Sequence, residues 1–186
     1  HVPPAIALLL TKREIDTPEK LREFLVPPHT LPHEPLRITG MEIALKRLYS
    51  AVQNHEKVGV FGDFDVDGIT GTAIICEGLS SLGVTVFPYL PHRVDEGHGL
   101  SNAAIDTLSK PGVTLIITVD TGITSFEEVD YANYRGVDVI ITEHHLPHNG
   151  VPNAVTSLNP KIPGSDYPFF ELCGAGIGVK LIQGLY

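Results

Sequence analysis

Three aspartates occupy alternate positions in residues 62–68, which read GDFDVDG. Carboxylates this close together raise one another's pKa unless a cation compensates their charge. Oxygen ligands of this kind suit Mn²⁺ or Mg²⁺ rather than a thiolate-bound zinc, and neither cysteine is near them in the sequence. Asp63, Asp65 and Asp67 therefore predict a divalent-metal site, although Asp and Gly are also common in solvated turns.

Further candidate ligands follow two later apolar runs. Asp120 comes directly after residues 113–119, and His144 comes shortly after residues 137–142. With the three aspartates they make five candidate ligands, which is enough to begin a two-metal site for an in-line phosphoryl displacement.

A second polar loop, residues 91–100, reads PHRVDEGHGL. Arg93 is the only arginine near the proposed site in the sequence, and we expect it to make a bidentate phosphate contact. His92 and His98 are expected either to contact phosphate or to pack within this loop.

Strands that alternate with helices must position these residues. Short apolar runs predict the strands, and amphipathic runs between them predict the helices. Parallel strands need helical crossovers, so the pattern predicts an α/β fold with a mostly parallel β-sheet and helices on both faces. The polar loops would meet at the carboxyl ends of the strands. The predicted strands are residues 58–61, 84–87, 113–119 and 137–142, and the predicted helices are residues 70–82, 101–108 and 125–134.

The amino-terminal residues form a different pattern, that of a small helical segment. Thr17 precedes a proline in a helix-start pattern, and Thr39 is expected to cap a later helix. The prolines of residues 27–36 predict an extended connector. We therefore expect a helical extension, residues 1–56, that packs on the core, and a catalytic domain, residues 57–186. The helices predicted for the extension are residues 4–10, 18–25 and 41–52.

The overall composition favours one soluble globular domain with an appendage. No apolar run approaches the ~20 residues that a membrane span needs. Cys76 and Cys173 lie far apart among small or apolar neighbours, which predicts two free thiols and a cytoplasmic protein. The chain begins with His1 rather than Met, which predicts a fragment of a longer protein.

The chain is acidic, with a formal net charge of −9 and a pI near 5.4. Non-specific wrapping of nucleic acid depends on Lys and Arg that neutralise phosphates, and this charge argues against it. If nucleic acid is the substrate, metal ions or further domains must supply much of the positive charge.

These motifs resemble those of the DHH phosphoesterases and, within that family, the RecJ-like single-strand exonucleases. Residues 62–70 resemble the first family motif, and residues 142–145, which read TEHH, stand where the motif that names the family lies. The resemblance extends over almost the whole chain. The other segments that carry it are residues 21–27, 91–93, 96–100, 118–123, 159–161 and 172–178.

The resemblance implies an enzyme with Mn²⁺ or Mg²⁺ at two positions, which hydrolyses single-stranded DNA from the 5′ end in DNA repair and recombination. Its partners would be single-stranded DNA and other repair or replication proteins, with no membrane. Asp120 would bridge the two metals, and His145 would face the scissile phosphate or the attacking water. The metal ligands would be Asp63, Asp65, Asp67, Asp120 and His144, the catalytic residues His145, Arg93 and Asp120, and the substrate-binding residues Arg93, His98 and His145.

Two departures from the family pattern qualify this expectation. Glu143 stands where the family has Asp, so the hydrogen bond that orients the histidines must be made differently, and we expect reduced rather than absent activity. The family also supplies a further aspartate ligand beyond the region of residues 179–186, followed by a second domain. The second metal would be weakly held without that ligand.

Three other functions remain open from the sequence. The chain could be a DHH hydrolase that acts on oligonucleotides, cyclic dinucleotides or pyrophosphate. It could be a catalytically weakened RecJ-like scaffold protein, which Glu143 alone favours. It could also be a phosphatase of the haloacid dehalogenase type with Asp65 as the nucleophile. Those enzymes need later Lys and paired acidic motifs, and the loop of residues 143–145 is not of that kind.

Overall fold

The computed structural model describes residues 2–26 and 33–186, and it divides into two compact units, His1–Glu34 and Pro35–Tyr186. In the first unit, helices α1 (Pro4–Thr11) and α2 (Pro18–Leu25) agree with the predicted helices. The Thr17 hydroxyl accepts a hydrogen bond from the Lys20 N–H at 3.3 Å, which confirms the predicted cap. Most of the predicted proline-rich connector lies outside the described residues.

A five-stranded sheet with every neighbouring pair parallel forms the centre of the second unit, in the order β2-β1-β3-β4-β5. This confirms the predicted fold class. The strands are β1 (Lys57–Gly62), β2 (Thr85–Tyr89), β3 (Val113–Val119), β4 (Asp138–Thr142) and β5 (Thr156–Leu158).

Helices cover both faces of this sheet. Along β3, Leu115 and Ile117 point into one buried cluster and Ile116 into the other, as the two-residue repeat of a strand requires. The first cluster contains α3, α4 and α7, and the second contains α5 and α6. The helices are α3 (Met41–Gln53), α4 (Val66–Ser81), α5 (Asn102–Ser109), α6 (Phe126–Tyr134) and α7 (Gly174–Leu185), with a short 3₁₀ helix at Pro35–Arg37.

Residues 35–56 form one compact unit with the residues that follow them. The reason is that α3 buries Met41, Leu48 and other apolar side chains in the first cluster. Two local predictions for this stretch were wrong. Pro35 is buried and starts the 3₁₀ helix rather than an extended segment, and Gly40 in the left-handed conformation (φ 86°), not Thr39, precedes α3.

Other differences lie next to the polar loops. Helix α4 begins at Val66 rather than residue 70, because Asp65 caps it. Strand β5 and helix α7 were not predicted from the sequence. The strand has only 3 residues, and the helix begins with the glycine-rich run GAGIG, whose intrinsic helix propensity is low.

The strand order determines where a ligand can bind. The crossover after β1 leads through α4 on one face, whereas the crossover after β3 leads through α6 on the other. The loops that follow β1 and β3 therefore diverge and leave a crevice at the carboxyl ends of these adjacent strands. Across the described parts of the chain, no helix has both the length and the apolar character to cross a membrane.

Gly68 allows α4 to start close to the end of β1, and its replacement tests this packing. A Cβ at Gly68 would lie 2.3 Å from the Asp63 carbonyl oxygen, so we expect Gly68→Ala to lower the free energy of unfolding by about 2–3 kcal/mol. In the control Gly136→Ala, the new Cβ meets nothing within 4 Å at φ 72°, and the expected loss is about 1 kcal/mol from backbone strain alone. Urea unfolding measures both, and equal losses would contradict the close approach.

Candidate metal centre

Each of three polar residues extends the hydrogen-bond ladder by one step beyond the end of its strand. The Asp63 N–H donates to the Val119 carbonyl oxygen (3.1 Å), and the Asp120 N–H donates to that of Thr142 (2.9 Å). The Glu143 N–H donates to the Leu158 carbonyl oxygen (3.0 Å). The sheet thus holds the backbone of these residues in place on β1, β3 and β4.

The three aspartates of residues 62–68 lie in different local structures. Asp63 follows β1, and its Oδ1 accepts a hydrogen bond from the Phe64 N–H at 2.8 Å. Asp65 caps α4 by accepting from the Gly68 N–H at 3.0 Å, and this bond lowers the pKa of Asp65 below its ordinary value. Asp67 lies in the first turn of α4, not in a loop as the sequence had suggested.

Asp67 is bound by the start of α7, more than a hundred residues away in the chain. Its two carboxylate oxygens accept hydrogen bonds from the Gly174 and Ala175 N–H groups, both at 2.7 Å. Unpaired N–H groups and the helix dipole make a helix start a favourable place for a carboxylate. Because each oxygen has a second lone pair, Asp67 can still coordinate a cation.

Asp120 is buried and has an uncommon backbone conformation. It is 3% exposed and has a left-handed backbone (φ 59°), a conformation that is uncommon outside glycine. Its Oδ1 is buried and has no hydrogen-bond partner among the described residues, although the Nε2 atom of His144 lies 3.0 Å away. A buried carboxylate oxygen without a donor is the position that a cation would fill.

The raised pKa of Asp120 is a second indication that a cation binds there. Burial raises the pKa of Asp120 from 3.8 to about 8, and the nearby carboxylates of Asp67, Asp65 and Glu143 act in the same direction. Without a cation, Asp120 therefore holds a proton near neutral pH. A divalent cation would compensate these charges and return Asp120 to the carboxylate form.

Two groups of possible ligands share Asp120. One oxygen each of Asp63, Asp65 and Asp120 lie within 4.8 Å of one another, and the same holds for ligand atoms of Asp120, Glu143, His144 and His145. Asp67 adjoins the second group, with its Oδ2 3.6 Å from Nε2 of His144. Carboxylate and imidazole donors fit Mn²⁺ or Mg²⁺. All five predicted ligands are thus brought together, with Asp120 between the two groups.

Glu143 orients the two histidines. It is 2% exposed, and its Oε1 accepts hydrogen bonds from the His144 N–H (2.8 Å) and the His145 N–H (3.0 Å). The same oxygen lies 2.7 Å from Nδ1 of His145. Since a carboxylate accepts, Nδ1 carries the proton, and Nε2 of a neutral His145 ring is left as an acceptor.

His144 is suited to be a metal ligand. Burial, and after it the neighbouring His145, lower the pKa of His144, which favours the neutral imidazole. A neutral ring is the form that binds a metal.

The loop after β2 approaches the centre through His98. Its Nδ1 lies 3.3 Å from Oδ2 of Asp63, and its ring packs on Phe64 with centroids 4.3 Å apart. The guanidinium of Arg93 lies over the same Phe64 ring, 5.2 Å from the centroid, and is exposed. His92 pairs with Asp95 at 2.8 Å within the loop. His98 therefore joins the centre directly, whereas Arg93 is separated from it by Phe64.

A cavity of about 580 Å³ opens beside the centre and is lined by Asp63, Asp120 and His145. Its wall also contains Lys161, for which no role was predicted. Asn159 was missed as well: it is fully buried, donates to the His145 carbonyl oxygen and accepts from the Lys161 N–H, both at 2.8 Å. The only signal for either residue in the sequence was the family resemblance of residues 159–161.

Comparisons with known proteins find a matching family model and similar sequences. The model of the "DHH family, N-terminal domain" matches residues 57–186. The chain is 40% identical over 185 residues to the single-stranded-DNA-specific exonuclease RecJ of Bacillus subtilis (strain 168). This alignment covers 100% of this chain and 24% of that protein. The chain therefore spans about a quarter of the length of this relative.

Solved structures are similar too. The crystal structure of exonuclease RecJ bound to manganese matches with a TM-score of 0.75 and 34% identity, over 83% of this chain and 39% of that one. RecJ from Thermus thermophilus in complex with Mg²⁺ matches with a TM-score of 0.58 and 28% identity, over 99% of this chain and 21% of that one.

The raised pKa of Asp120 makes the stability of the metal-free protein depend on pH. As the pH rises from 3.8 to about 8, the unfolded chain releases a proton that folded Asp120 retains, so stability falls over this interval. Asp120→Asn removes this dependence and tolerates the left-handed backbone. In EDTA at pH about 8.5, we expect the variant to be more stable than the wild type by about 1–3 kcal/mol, with a smaller difference at pH about 5.

Urea unfolding at both pH values measures this difference, with Asp130→Asn on the exposed side of α6 as the matched control. Saturating Mn²⁺ should stabilise the wild type and the control more than Asp120→Asn. A stability difference that does not grow with pH, or equal stabilisation of all three proteins by Mn²⁺, would contradict the role of Asp120.

Proposed function

The chain belongs to the DHH family, and from this premise we propose that it carries the metal-dependent phosphodiesterase centre of an exonuclease that degrades single-stranded DNA. The observation that carries the proposal is Asp120, a buried carboxylate that two groups of possible ligands share. Two cation positions with a common carboxylate suit the hydrolysis of a phosphodiester. Membership of the DHH family also leaves no support for the aspartyl-phosphate alternative at Asp65.

We propose Mn²⁺ or Mg²⁺ as the cation, held by Asp63, Asp65, Asp67, Asp120 and His144. Four of these five ligands are carboxylates, which favour these ions, and the two similar RecJ structures are described with manganese and with Mg²⁺. When bound, the cations supply Lewis-acid chemistry, which polarises the phosphate and compensates charge on its oxygens. The position beside Asp63, Asp65 and Asp120 would hold its cation less strongly, because this group has ligand atoms from only three residues and the other group has four.

The residues around the cations have separate tasks. His145 lines the cavity with Nε2 as an acceptor, which suits it to hold a proton of the attacking water or to contact the scissile phosphate. Glu143 fixes this tautomer and the ring orientation. His98 binds substrate beside Asp63, and Arg93 extends this surface from its place over Phe64.

The similar proteins support single-stranded DNA as the substrate, since the Bacillus relative is named a single-stranded-DNA-specific exonuclease. We propose degradation from the 5′ end, with a role in DNA repair and recombination alongside other repair or replication proteins. The free thiols of Cys76 and Cys173 favour the cytoplasm as the location. The arrangement of residues 1–56 as a helical extension that packs on the catalytic domain stays a prediction.

Cleavage assays on the full-length product of the gene test this function. With Mn²⁺, we expect nucleotide release from a single-stranded oligonucleotide, and much slower cleavage of a blunt duplex or a dinucleotide. Asp120→Ala should lower kcat by at least about 10³-fold, because it removes the shared ligand, whereas Asp130→Ala on α6 should not change it. Absence of cleavage with either metal, or turnover retained in Asp120→Ala, would refute the proposal.

Glu143 offers a second kinetic test. Glu143→Gln keeps the size of the side chain but removes the charge that holds the His145 Nδ1 proton, so we expect kcat to fall about 10–100-fold with KM nearly unchanged. Glu143→Asp keeps the charge and should retain most activity. Thermal unfolding checks that both variants fold. If Gln and Asp act alike, the charge of Glu143 is not what orients His145.

A further inference from the structure

A second cavity, of about 500 Å³, adjoins the one at the metal centre. The two cavities share Leu146 and Lys161 in their walls, so they lie side by side, and we call the two together the trough. The trough leads from Asp63 and Asp120 at one end to Phe170 at the other. A substrate longer than the scissile phosphate could therefore lie along it.

Lys161 is the cation of this trough. Its side chain is half-buried, and among the described residues its Nζ has neither an ion-pair partner nor a hydrogen-bond acceptor. It lines the same cavity as Asp120 and His145, so its side chain lies beside the candidate metal centre. A lysine in a partly enclosed site without a carboxylate partner is suited to bind an anion.

The backbone of Lys161 is linked to the catalytic loop. Asn159 is fully buried and bonds both the His145 carbonyl oxygen and the Lys161 N–H, each at 2.8 Å. The Asn159 side chain thus links the backbone of Lys161 to that of His145. Because the N–H rather than Nζ makes this bond, the Lys161 side chain can be changed without breaking it.

Apolar side chains continue the trough beyond Lys161. Phe170 is 52% exposed and Leu146 is 60% exposed, although both line the second cavity. Large apolar groups that stay exposed in a groove suit the flat face of a nucleic-acid base. Glu171 stands at the same end and disfavours a second phosphate there.

We propose that Lys161 binds the phosphate adjacent to the scissile phosphate. Phe170 and Leu146 pack against a nucleotide base that lies either between these two phosphates or beyond the phosphate bound by Lys161. This inference rests on the proposed function, since it places the substrate relative to the metal centre. The contact is tolerant of base identity, because every base has an aromatic face. It requires an unpaired base, because a paired base keeps its faces within the stack.

A double-mutant cycle between protein and substrate tests the lysine contact. The substrates are single-stranded oligonucleotides with one neutral methylphosphonate at either neighbour of the scissile phosphate. With Mn²⁺ and the full-length gene product, we expect Lys161→Ala to raise KM for unmodified DNA about tenfold, with kcat nearly unchanged. At one of the two positions, the methylphosphonate should raise KM for the wild type but not for Lys161→Ala.

Three further variants make the outcome clear. Lys161→Arg should restore most of the affinity, and Lys110→Ala, an equal change of charge between the end of α5 and the amino end of β3, should leave KM unchanged. Phe170→Ala should raise KM several-fold for normal DNA but not for DNA with an abasic site at the contacted nucleotide. Additive effects of lysine and methylphosphonate at both positions, or a Lys110→Ala effect as large as that of Lys161→Ala, would overturn the proposal.

The small substrate bis(p-nitrophenyl) phosphate separates this inference from the proposed function. It has no neighbouring phosphate, so Lys161→Ala should raise KM for it much less than for DNA, and Lys110→Ala should hydrolyse it as the wild type does. A wild type that hydrolyses neither substrate refutes the phosphodiesterase function itself. A wild type that cleaves DNA, with no effect of Lys161→Ala, refutes only the Lys161 subsite.

Discussion

The concentration of negative charge around Asp120 is the constraint on which the rest of this structure depends. A buried carboxylate at the end of β3, with other carboxylates beside it, destabilises a folded chain unless something compensates it. The protein reduces this cost for the neighbours of Asp120 but not for Asp120 itself. Asp67 receives two N–H groups from α7 and Asp65 receives one from α4, whereas Oδ1 of Asp120 receives none within the described chain. The remaining charge is the part that a cation must balance.

This constraint explains the close packing around the site. The ladder bonds of Asp63, Asp120 and Glu143 prevent these residues from moving apart to relieve repulsion. Gly174 lets the start of α7 reach Asp67, since a Cβ there would lie 2.7 Å from Cβ of Asp120. A site held rigidly in a destabilised state binds its cation more strongly, because little reorganisation accompanies binding. The repulsion that destabilises the metal-free protein is relieved when a cation binds, so it adds to the affinity for the metal. Such a loss of stability is expected at a functional site.

Most features set by local pattern could be predicted from the sequence, apart from some helix starts, whereas features set by distant contacts could not. The apolar run of β3 is predicted residue for residue, and the parallel sheet follows from the alternation of strands and helices. The start of α4 was missed by four residues because Asp65 was considered only as a ligand and not as a cap. Helix α7 was missed because its glycines serve contacts with α4 and Asp120 rather than helix propensity. Asn159 and Lys161 owe their places to one hydrogen-bonded link with His145, which no periodicity encodes.

The acidity of the chain also bears on how DNA would be recognised. A chain with a net charge of −9 gains little from general attraction to a polyanion, so the phosphate contacts that its own residues would make are few and local. Positive charge at the centre would then come from the cations, with Lys161 next to them in the trough. The contribution of these contacts to affinity would depend only weakly on salt, in contrast to proteins that follow the backbone over many nucleotides. Discrimination between single and double strands would therefore rest on the shape of the trough and on the exposed face of an unpaired base, and only to a small extent on charge.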